Sequence, residues 1–266
     1  MDLLKIVRRR SFLSEVVYTV LNIALAIALV LVVYYTGSVW FGIALVLLSK
    51  WRIFAVRVRY WYANILSNLV DIIVSVSYVL LLFTFTQAGL NPGQELAVLG
   101  LATLLYSAWL LLLKPRSKRS FMVAQAGVAI LLGTWALFTV TYNWPVTFTV
   151  LGMWLIGYSA ARHILTTYDD ETYSLLLGLF WGFVFAQIGW ISYHWAIAYT
   201  LPFTGGVLLP QVTILTMLAS FVAYKAYDSF AHHQKVRTAD IILPLLFSVS
   251  AVLILLFVFN RVGIAT

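Results

Sequence analysis

The stretch VVYTVLNIALAIALVLVVYY, residues 16–35, contains no charged side chain and has the length of one membrane-spanning helix. A helix needs about 20 mostly apolar residues to cross the roughly 30 Å hydrocarbon core of a bilayer. The apolar region of a cleaved signal peptide has only about 7–15 residues. We therefore predict that this stretch is a retained first span, preceded by the basic residues Lys5, Arg8, Arg9 and Arg10.

The composition of the whole chain agrees with this membrane character. Of the 266 residues, 63% are hydrophobic and only 10% are charged, and the mean hydropathy is +0.97. A water-soluble domain has about 25% charged residues and about 45–50% apolar ones. This excludes a soluble enzyme, a nucleic-acid-binding protein and a disordered regulator, in spite of the net charge of +8. Because the chain has no cysteine, disulfides and thiolate metal ligands are excluded as well.

Similar apolar stretches follow along the chain, and together they predict nine spans. These are Val16–Tyr35, Ser38–Ser49, Ile65–Gln87, Leu96–Leu113, Phe121–Thr141, Val146–Ala161, Leu175–Tyr199, Val207–Tyr224 and Ile241–Phe259. The second is short and is followed by Lys50 and Arg52, so it must be tilted with snorkelling ends or re-entrant.

The basic residues predict the orientation, because Lys and Arg are retained on the cytoplasmic side of a membrane. With nine spans and an inside N-terminus, every basic residue except Arg261 falls inside. Without a second crossing, the basic clusters at 50–59 and 114–119 would both face outward. We therefore predict an all-α, polytopic integral membrane bundle of about nine helices, N-terminus in and C-terminus out. Since all connections are short, residues 1–266 form a single transmembrane domain.

Three short motifs suggest an internal repeat. They begin at Tyr106, Tyr158 and Tyr224, and each follows a proline at a similar distance. Tandem helical hairpins at 65–113, 121–161 and 175–224 would explain them, and parallel repeats of this kind occur in some transporters. Coincidence within an apolar sequence is the alternative.

Asp71 is the first of three candidate polar residues inside the predicted spans. It follows Asn64, Ser67 and Asn68 at helical spacing, and Ser75 continues the stripe. Ionisable residues within a bilayer are costly and often functional. The stripe could coordinate a cation or pass a proton, or it could be a structural stripe hydrogen-bonded to neighbouring helices.

Gln187 and His194 are the other two candidates, and both lie on one face of the seventh span. An imidazole titrates near pH 6.5 and can accept a proton or bind a metal. A single histidine without a second ligand indicates a structural role equally well. We therefore predict neither a metal nor a cofactor here.

The same span carries small residues at close to four-residue spacing, which lets helix backbones approach closely. This candidate helix-packing face consists of Gly178, Gly182, Ala186 and Gly189. It can pack inside the bundle, or against a second copy or a partner subunit.

The acidic residues Asp169, Asp170 and Glu171 precede this span. They could hold a divalent cation, because such cations prefer oxygen ligands. Their position at the start of a helix favours capping of the helix dipole instead. The inner basic clusters are expected to attract anionic lipid headgroups of the inner leaflet.

The stretch Phe180–Phe203 contains Ala186-Gln187-Ile188-Gly189-Trp190 and ends in Leu201-Pro202-Phe203. It resembles a late span in multi-pass membrane proteins of candidate-phylum bacteria, a family that has no established activity. The resemblance implies a bacterial inner-membrane location and transfers no catalytic or binding residue.

Three classes of function fit these observations. The sequence favours a non-enzymatic membrane component that acts through helix–helix contacts, because no catalytic motif is present. A carrier or channel for a small solute or lipid is the first alternative. A membrane enzyme acting on a lipid-linked substrate is the second, and it would require a cluster of carboxylates or histidines.

Overall fold

The computed structural model describes residues 12–168, 171–201, 204 and 206–257. The basic residues Lys5, Arg8, Arg9 and Arg10, the acidic pair Asp169 and Asp170, Pro202, Phe203 and Arg261 lie outside the described residues. The helices are α1 Phe12–Thr36, α2 Val39–Ser49, α3 Trp61–Ser67, α4 Leu69–Gln87, α5 Pro92–Ala108, α6 Arg119–Val140, α7 Val146–Leu165, α8 Ser174–His194, α9 Gln211–His233 and α10 Thr238–Phe257. Single 3₁₀ turns lie at Trp51–Ile53 and Val58–Tyr60, and a π-helical turn at Trp109–Leu113 extends α5.

Six of the described helical segments are long and apolar enough to cross a membrane. They are Ser14–Thr36, Leu69–Gln87, Pro92–Leu113, Arg119–Val140, Ser174–His194 and Thr238–Phe257. The prediction of an all-helical membrane bundle is confirmed to this extent. Helix α2 is apolar but shorter, whereas α7 and α9 are long and carry more polar and charged residues. Nine crossings therefore remain a prediction.

The predicted third span, Ile65–Gln87, is wrong as a continuous helix, because the chain breaks at Asn68 between α3 and α4. The Asn68 side chain donates to the carbonyl oxygen of Asn64 at 2.8 Å. Asparagine side chains compete with helical backbone hydrogen bonds in this way. Asp71 consequently lies in the first turn of α4, and not two turns into a long span.

The bounds of the predicted seventh and eighth spans also need correction. Helix α8 ends at His194, and strand β1 (Ala198–Thr200) pairs in antiparallel fashion with β2 (Leu208–Pro210). The seventh span thus stops before Tyr199. Helix α9 begins only after Pro210, whose side chain fixes its own φ and is well placed before a helix, and it continues nine residues beyond Tyr224 to His233.

Side-chain contacts group the connections at two ends of the bundle. At one end Arg119 pairs with Asp228, and Lys50 and Lys114 pair with Asp71. We call it the basic end, and it contains residues 50–60, 114–118, 166–168, 171–173 and 234–237 of the connections. At the opposite end the Tyr193 hydroxyl donates to the carbonyl oxygen of Trp144 at 2.5 Å.

Helices α4, α6 and α7 form the centre of the bundle, α8 packs on α7 with one side, and α10 lies at the edge. Val74, Val79 and Leu82 of α4 are fully buried, as is Phe185 of α8. By contrast, only 6% of the most apolar window of α10 is buried, and among the described elements α10 packs mainly on α9. The hairpin repeat stays a prediction.

Candidate functional site

A buried ion cluster at the basic end joins α2, α4 and α5, and it is the site with the most distinctive chemistry among the described residues. The Asp71 carboxylate is paired with the ammonium groups of both Lys50 and Lys114. The Lys114 Nζ lies 2.9 Å from Asp71 Oδ2, and the Lys50 ammonium donates to the same oxygen. The side chain of Lys50 is 6% exposed, whereas that of Lys114 is 36% exposed.

The π-helical turn after α5 delivers two groups to this cluster. The backbone N–H of Lys114 donates to the carbonyl oxygen of Trp109 at 2.9 Å, five residues earlier in the chain. The Trp109 indole Nε1 donates to Asp71 Oδ1 at 3.4 Å. Single π-helical turns inside α-helices are frequent at functional sites. Here the turn directs both Trp109 and Lys114 toward the same carboxylate.

Two lysines and one carboxylate leave the cluster with an excess positive charge. Burial lowers the pKa of Lys50 to about 8, although the Asp71 carboxylate opposes this shift. The ion pair with Asp71 favours the protonated form of Lys50. Removing charges from water is costly unless each is paired and hydrogen-bonded. The two ammonium groups share the single negative charge of Asp71, and the excess positive charge lies toward the exposed member, Lys114.

The polar stripe that contains Asp71 ends within the bundle. The Ser75 hydroxyl donates to the carbonyl oxygen of Asp71 at 2.7 Å. One turn further, Tyr78 stacks on Tyr106 with ring centroids 4.0 Å apart. Beyond Tyr78 the buried residues of α4 are apolar up to Phe85. The described part of α4 thus gives a short polar segment and not a polar path from one end to the other.

Sequence reasoning found Asp71 but missed its partners. In the sequence, Lys50 and Lys114 indicate only the membrane topology, and no pattern marks Trp109. One feature of the sequence does indicate these partners: the predicted topology places both lysines on the same side of the membrane as Asp71. What the sequence lacked was the rotation of each helix about its own axis, which decides whether those side chains meet.

A second ion cluster at the basic end ties α6 to α9 and to the α7–α8 connection. Asp228 accepts hydrogen bonds from the Arg119 guanidinium and, at 3.0 Å, from the Tyr168 hydroxyl. The Arg119 guanidinium also lies over the Tyr168 ring, 3.8 Å from its centroid. Burial, reinforced by the bond to Asp228, raises the pKa of the Tyr168 hydroxyl, so it stays protonated. This cluster therefore stabilises the packing of the start of α6 and the α7–α8 connection against α9.

The acidic run before α8, which we predict to cap that helix with cation binding as the alternative, is described only at Glu171. Glu171 accepts from the backbone N–H of Tyr173 at 2.6 Å and from the Tyr227 hydroxyl. Tyr173 directly precedes α8, so the first bond lies beside the helix start, and the capping role of the acidic run stays a prediction. Among the described residues no group of three or more histidine, cysteine, aspartate or glutamate side chains could hold a metal ion.

Gln187 and His194 are both exposed on the surface of the described bundle. They lie on the same side of α8 as the exposed residues Phe180, Phe183 and Trp190. His194 is the last residue of α8, where its ring contacts those of Trp190 and Tyr193. The structure does not bring Gln187 or His194 near Asp71, since His194 lies at the opposite end of the bundle.

The candidate helix-packing face of α8 points in the other direction, toward α7. A Cβ atom on Gly182 would lie 3.0 Å from the carbonyl oxygen of Trp154, and one on Gly189 would lie 2.6 Å from Met153 Cγ. A Cβ on Gly178 would lie 3.4 Å from the Tyr158 ring, and Ala186 is buried. Glycine is thus needed for the closeness of α7 and α8, and this leaves the Gln187 side of α8 unoccupied by described residues.

Three cavities lie away from the Asp71 cluster. A cavity of about 380 Å³ at the opposite end is enclosed by α6, the end of α8 and the β-hairpin, with Tyr193, Trp195 and Gln211 in its wall. A smaller one of about 180 Å³ lies between α7, α8 and α9. A groove of about 710 Å³ between α8, α9 and α10 is almost wholly apolar. Asp71 and His194 line none of these three.

Comparisons with known proteins found no matching family model, no matching curated protein and no matching solved structure. The resemblance based on Phe180–Phe203 therefore stays a prediction. The class supported by fold and site is a helical membrane protein.

Proposed function

We propose that this chain is a non-enzymatic membrane component that acts through helix–helix contacts, and that its contact surface is the exposed side of α8. The proposal rests on one observation, the exposure of the Gln187 amide within an apolar span. Gln187 is seven residues before the end of α8, which is about 10 Å along the helix axis. That depth lies inside the hydrocarbon region of a bilayer, where lipid tails offer no hydrogen-bond partner.

A second copy of the chain satisfies this amide most simply. A glutamine side chain is both donor and acceptor, so two Gln187 side chains related by a two-fold axis bond to each other. Phe180 and Phe183, which are 62% and 58% exposed, supply apolar contact area beside it. The glycine-rich side of α8 is already used against α7, so this association does not disturb the bundle.

The test compares self-association of two glutamine-to-leucine variants in reconstituted vesicles. We expect Gln187→Leu to weaken the dimer about 3- to 20-fold, since interhelical hydrogen bonds in membranes contribute about 0.6–1.7 kcal/mol. Single-molecule photobleaching at graded protein-to-lipid ratios measures this affinity. Gln87→Leu is the matched control, because Gln87 is exposed at the last position of α4, outside the proposed contact. A monomeric wild type, or equal affinities for all three proteins, would contradict the proposal.

The two alternative functions have less support. A carrier is favoured by the 380 Å³ cavity near Trp195, but the polar segment that starts at Asp71 is at the other end of the bundle. An enzyme requires a cluster of acid–base groups at one site. Asp71 is the one carboxylate in the described buried cluster, and both of its oxygens are already occupied.

We further propose nine crossings of a bacterial inner membrane, with the basic end in the cytoplasm. The basic connections support this orientation, and α2 then crosses with its ends drawn toward the interfaces.

The absence of native cysteine permits a direct test of that topology. Single cysteines replacing Arg57 or Lys118 are expected to react with a membrane-impermeant maleimide only after the membrane is opened. Cysteines replacing Gln87 or Tyr142 are expected to react in intact cells. Labelling of position 57 or 118 from outside would overturn the nine-span arrangement.

A further inference from the structure

We propose that Lys50 and Lys114 form a specific binding site for the phosphate group of an anionic phospholipid at the basic end of the bundle. The inference uses different residues from those of the proposed α8 contact. The two can therefore fail separately.

The charge balance of the cluster supplies the first argument. Both ammonium groups converge on one carboxylate oxygen, Asp71 Oδ2. One carboxylate neutralises one of them, so the cluster keeps one excess positive charge, which is accessible from outside at Lys114, whose side chain is 36% exposed. An anion beside Lys114 completes the neutralisation.

The position of the cluster supplies the second argument, because it lies where phosphate groups of lipids are found. Lys50 directly follows α2, and Lys114 directly follows the apolar segment Pro92–Leu113. Lysines that end apolar segments lie at the level of the lipid headgroups. A lysine ammonium is a compact charge with three donors and binds phosphate well.

The different exposure of the two lysines defines how such a lipid binds. The Lys50 side chain is nearly buried and keeps Asp71 in place, whereas more than a third of the Lys114 side chain is exposed. Lys114 is therefore the group that contacts the phosphate directly, and Lys50 adds charge behind it. The bond from Trp109 holds Asp71 Oδ1, which leaves Oδ2 to fix both ammonium groups.

This site differs from the general attraction of anionic lipids to a basic surface. Exposed cations such as Arg52, Arg57 and Lys118 each contribute about 1 kcal/mol of such attraction without selecting a position. Lys114 is held by Asp71 and by the π-helical turn. A fixed ammonium group loses less side-chain freedom when it binds an anion.

The experiment measures binding of phosphatidylglycerol to the full-length protein in nanodiscs of phosphatidylcholine, by native mass spectrometry. We expect Lys114→Gln to weaken binding of the first phosphatidylglycerol about 10-fold, in the range of a charge-assisted hydrogen bond. Lys118→Gln is the matched control, with an expected loss below about 3-fold. Lys114→Gln leaves the Lys50–Asp71 pair intact, so the variant is expected to fold.

Two results would overturn the proposal. Equal losses for Lys114→Gln and Lys118→Gln would mean that only general surface attraction is present. Displacement of the bound lipid by millimolar inorganic phosphate would assign the site to a free anion instead. Retention of the lipid under phosphate, together with selective loss in Lys114→Gln, supports a lipid site. Dimer affinity measured on the same variants is expected to stay unchanged, which separates this result from the α8 proposal.

Discussion

Replacing Asp71 by asparagine is expected to lower the free energy of unfolding by about 3–5 kcal/mol, the range observed when one partner of a buried ion pair is removed. The amide keeps the shape of the side chain but cannot balance a charge. Lys114 can turn toward solvent, because its side chain is 36% exposed. Lys50 cannot, because its side chain is 6% exposed. Unfolding of the purified protein in mixed detergent micelles measures the loss.

The matched control is Glu15→Gln, which makes the same carboxylate-to-amide change at an exposed position in the first turn of α1. A second control removes both charges with Lys50→Met and Asp71→Leu, and it is expected to recover most of the lost stability, because replacing a buried pair by apolar residues is often neutral. If Asp71→Asn unfolds at the same detergent composition as Glu15→Gln, the cluster does not stabilise the bundle.

Replacing Gly182 by leucine is expected to reduce the amount of folded protein in membranes far more than His194→Ala does. A Cβ at position 182 already meets the carbonyl oxygen of Trp154 at 3.0 Å and Tyr158 Cβ at 3.1 Å. Overpacking of this kind costs about 1–3 kcal/mol or more, and a backbone oxygen cannot move aside as a flexible side chain can. His194 is exposed, so its truncation removes little packing.

Gly100→Leu is the control for the substitution itself, because a Cβ at Gly100 in α5 meets no atom within 4 Å. Fluorescence size-exclusion chromatography of membrane extracts compares the three variants. The close approach of α7 and α8 is contradicted if Gly182→Leu and Gly100→Leu accumulate equally.

The helical membrane character could be predicted from the sequence because it follows from long apolar segments, which depend only on neighbouring residues. Helix ends were less predictable. The break at Asn68 and the end of α8 at His194 depend on side-chain hydrogen bonds and on a strand pairing across the loop. An apolar count does not detect either feature.

The candidate site was only partly predictable for a related reason. A stripe of polar residues identified Asp71, but its partners Lys50 and Lys114 are distant in the chain. The spacing of residues along α8 identifies a small-residue side and a Gln187 side. It does not show which of the two sides packs against a neighbouring helix. The glycine side faces α7 and the Gln187 side faces outward, and that direction is set by packing between helices.

The edge position of α10 has a consequence for biosynthesis. Both ion clusters and the close α7–α8 contact are made by residues that precede Thr238, while α10 packs mainly on α9. Chains fold from the N-terminus as they emerge from the ribosome. All residues that make these contacts are therefore translated before α10, and we expect α10 to pack onto α9 after the contacts that precede it in the chain have formed.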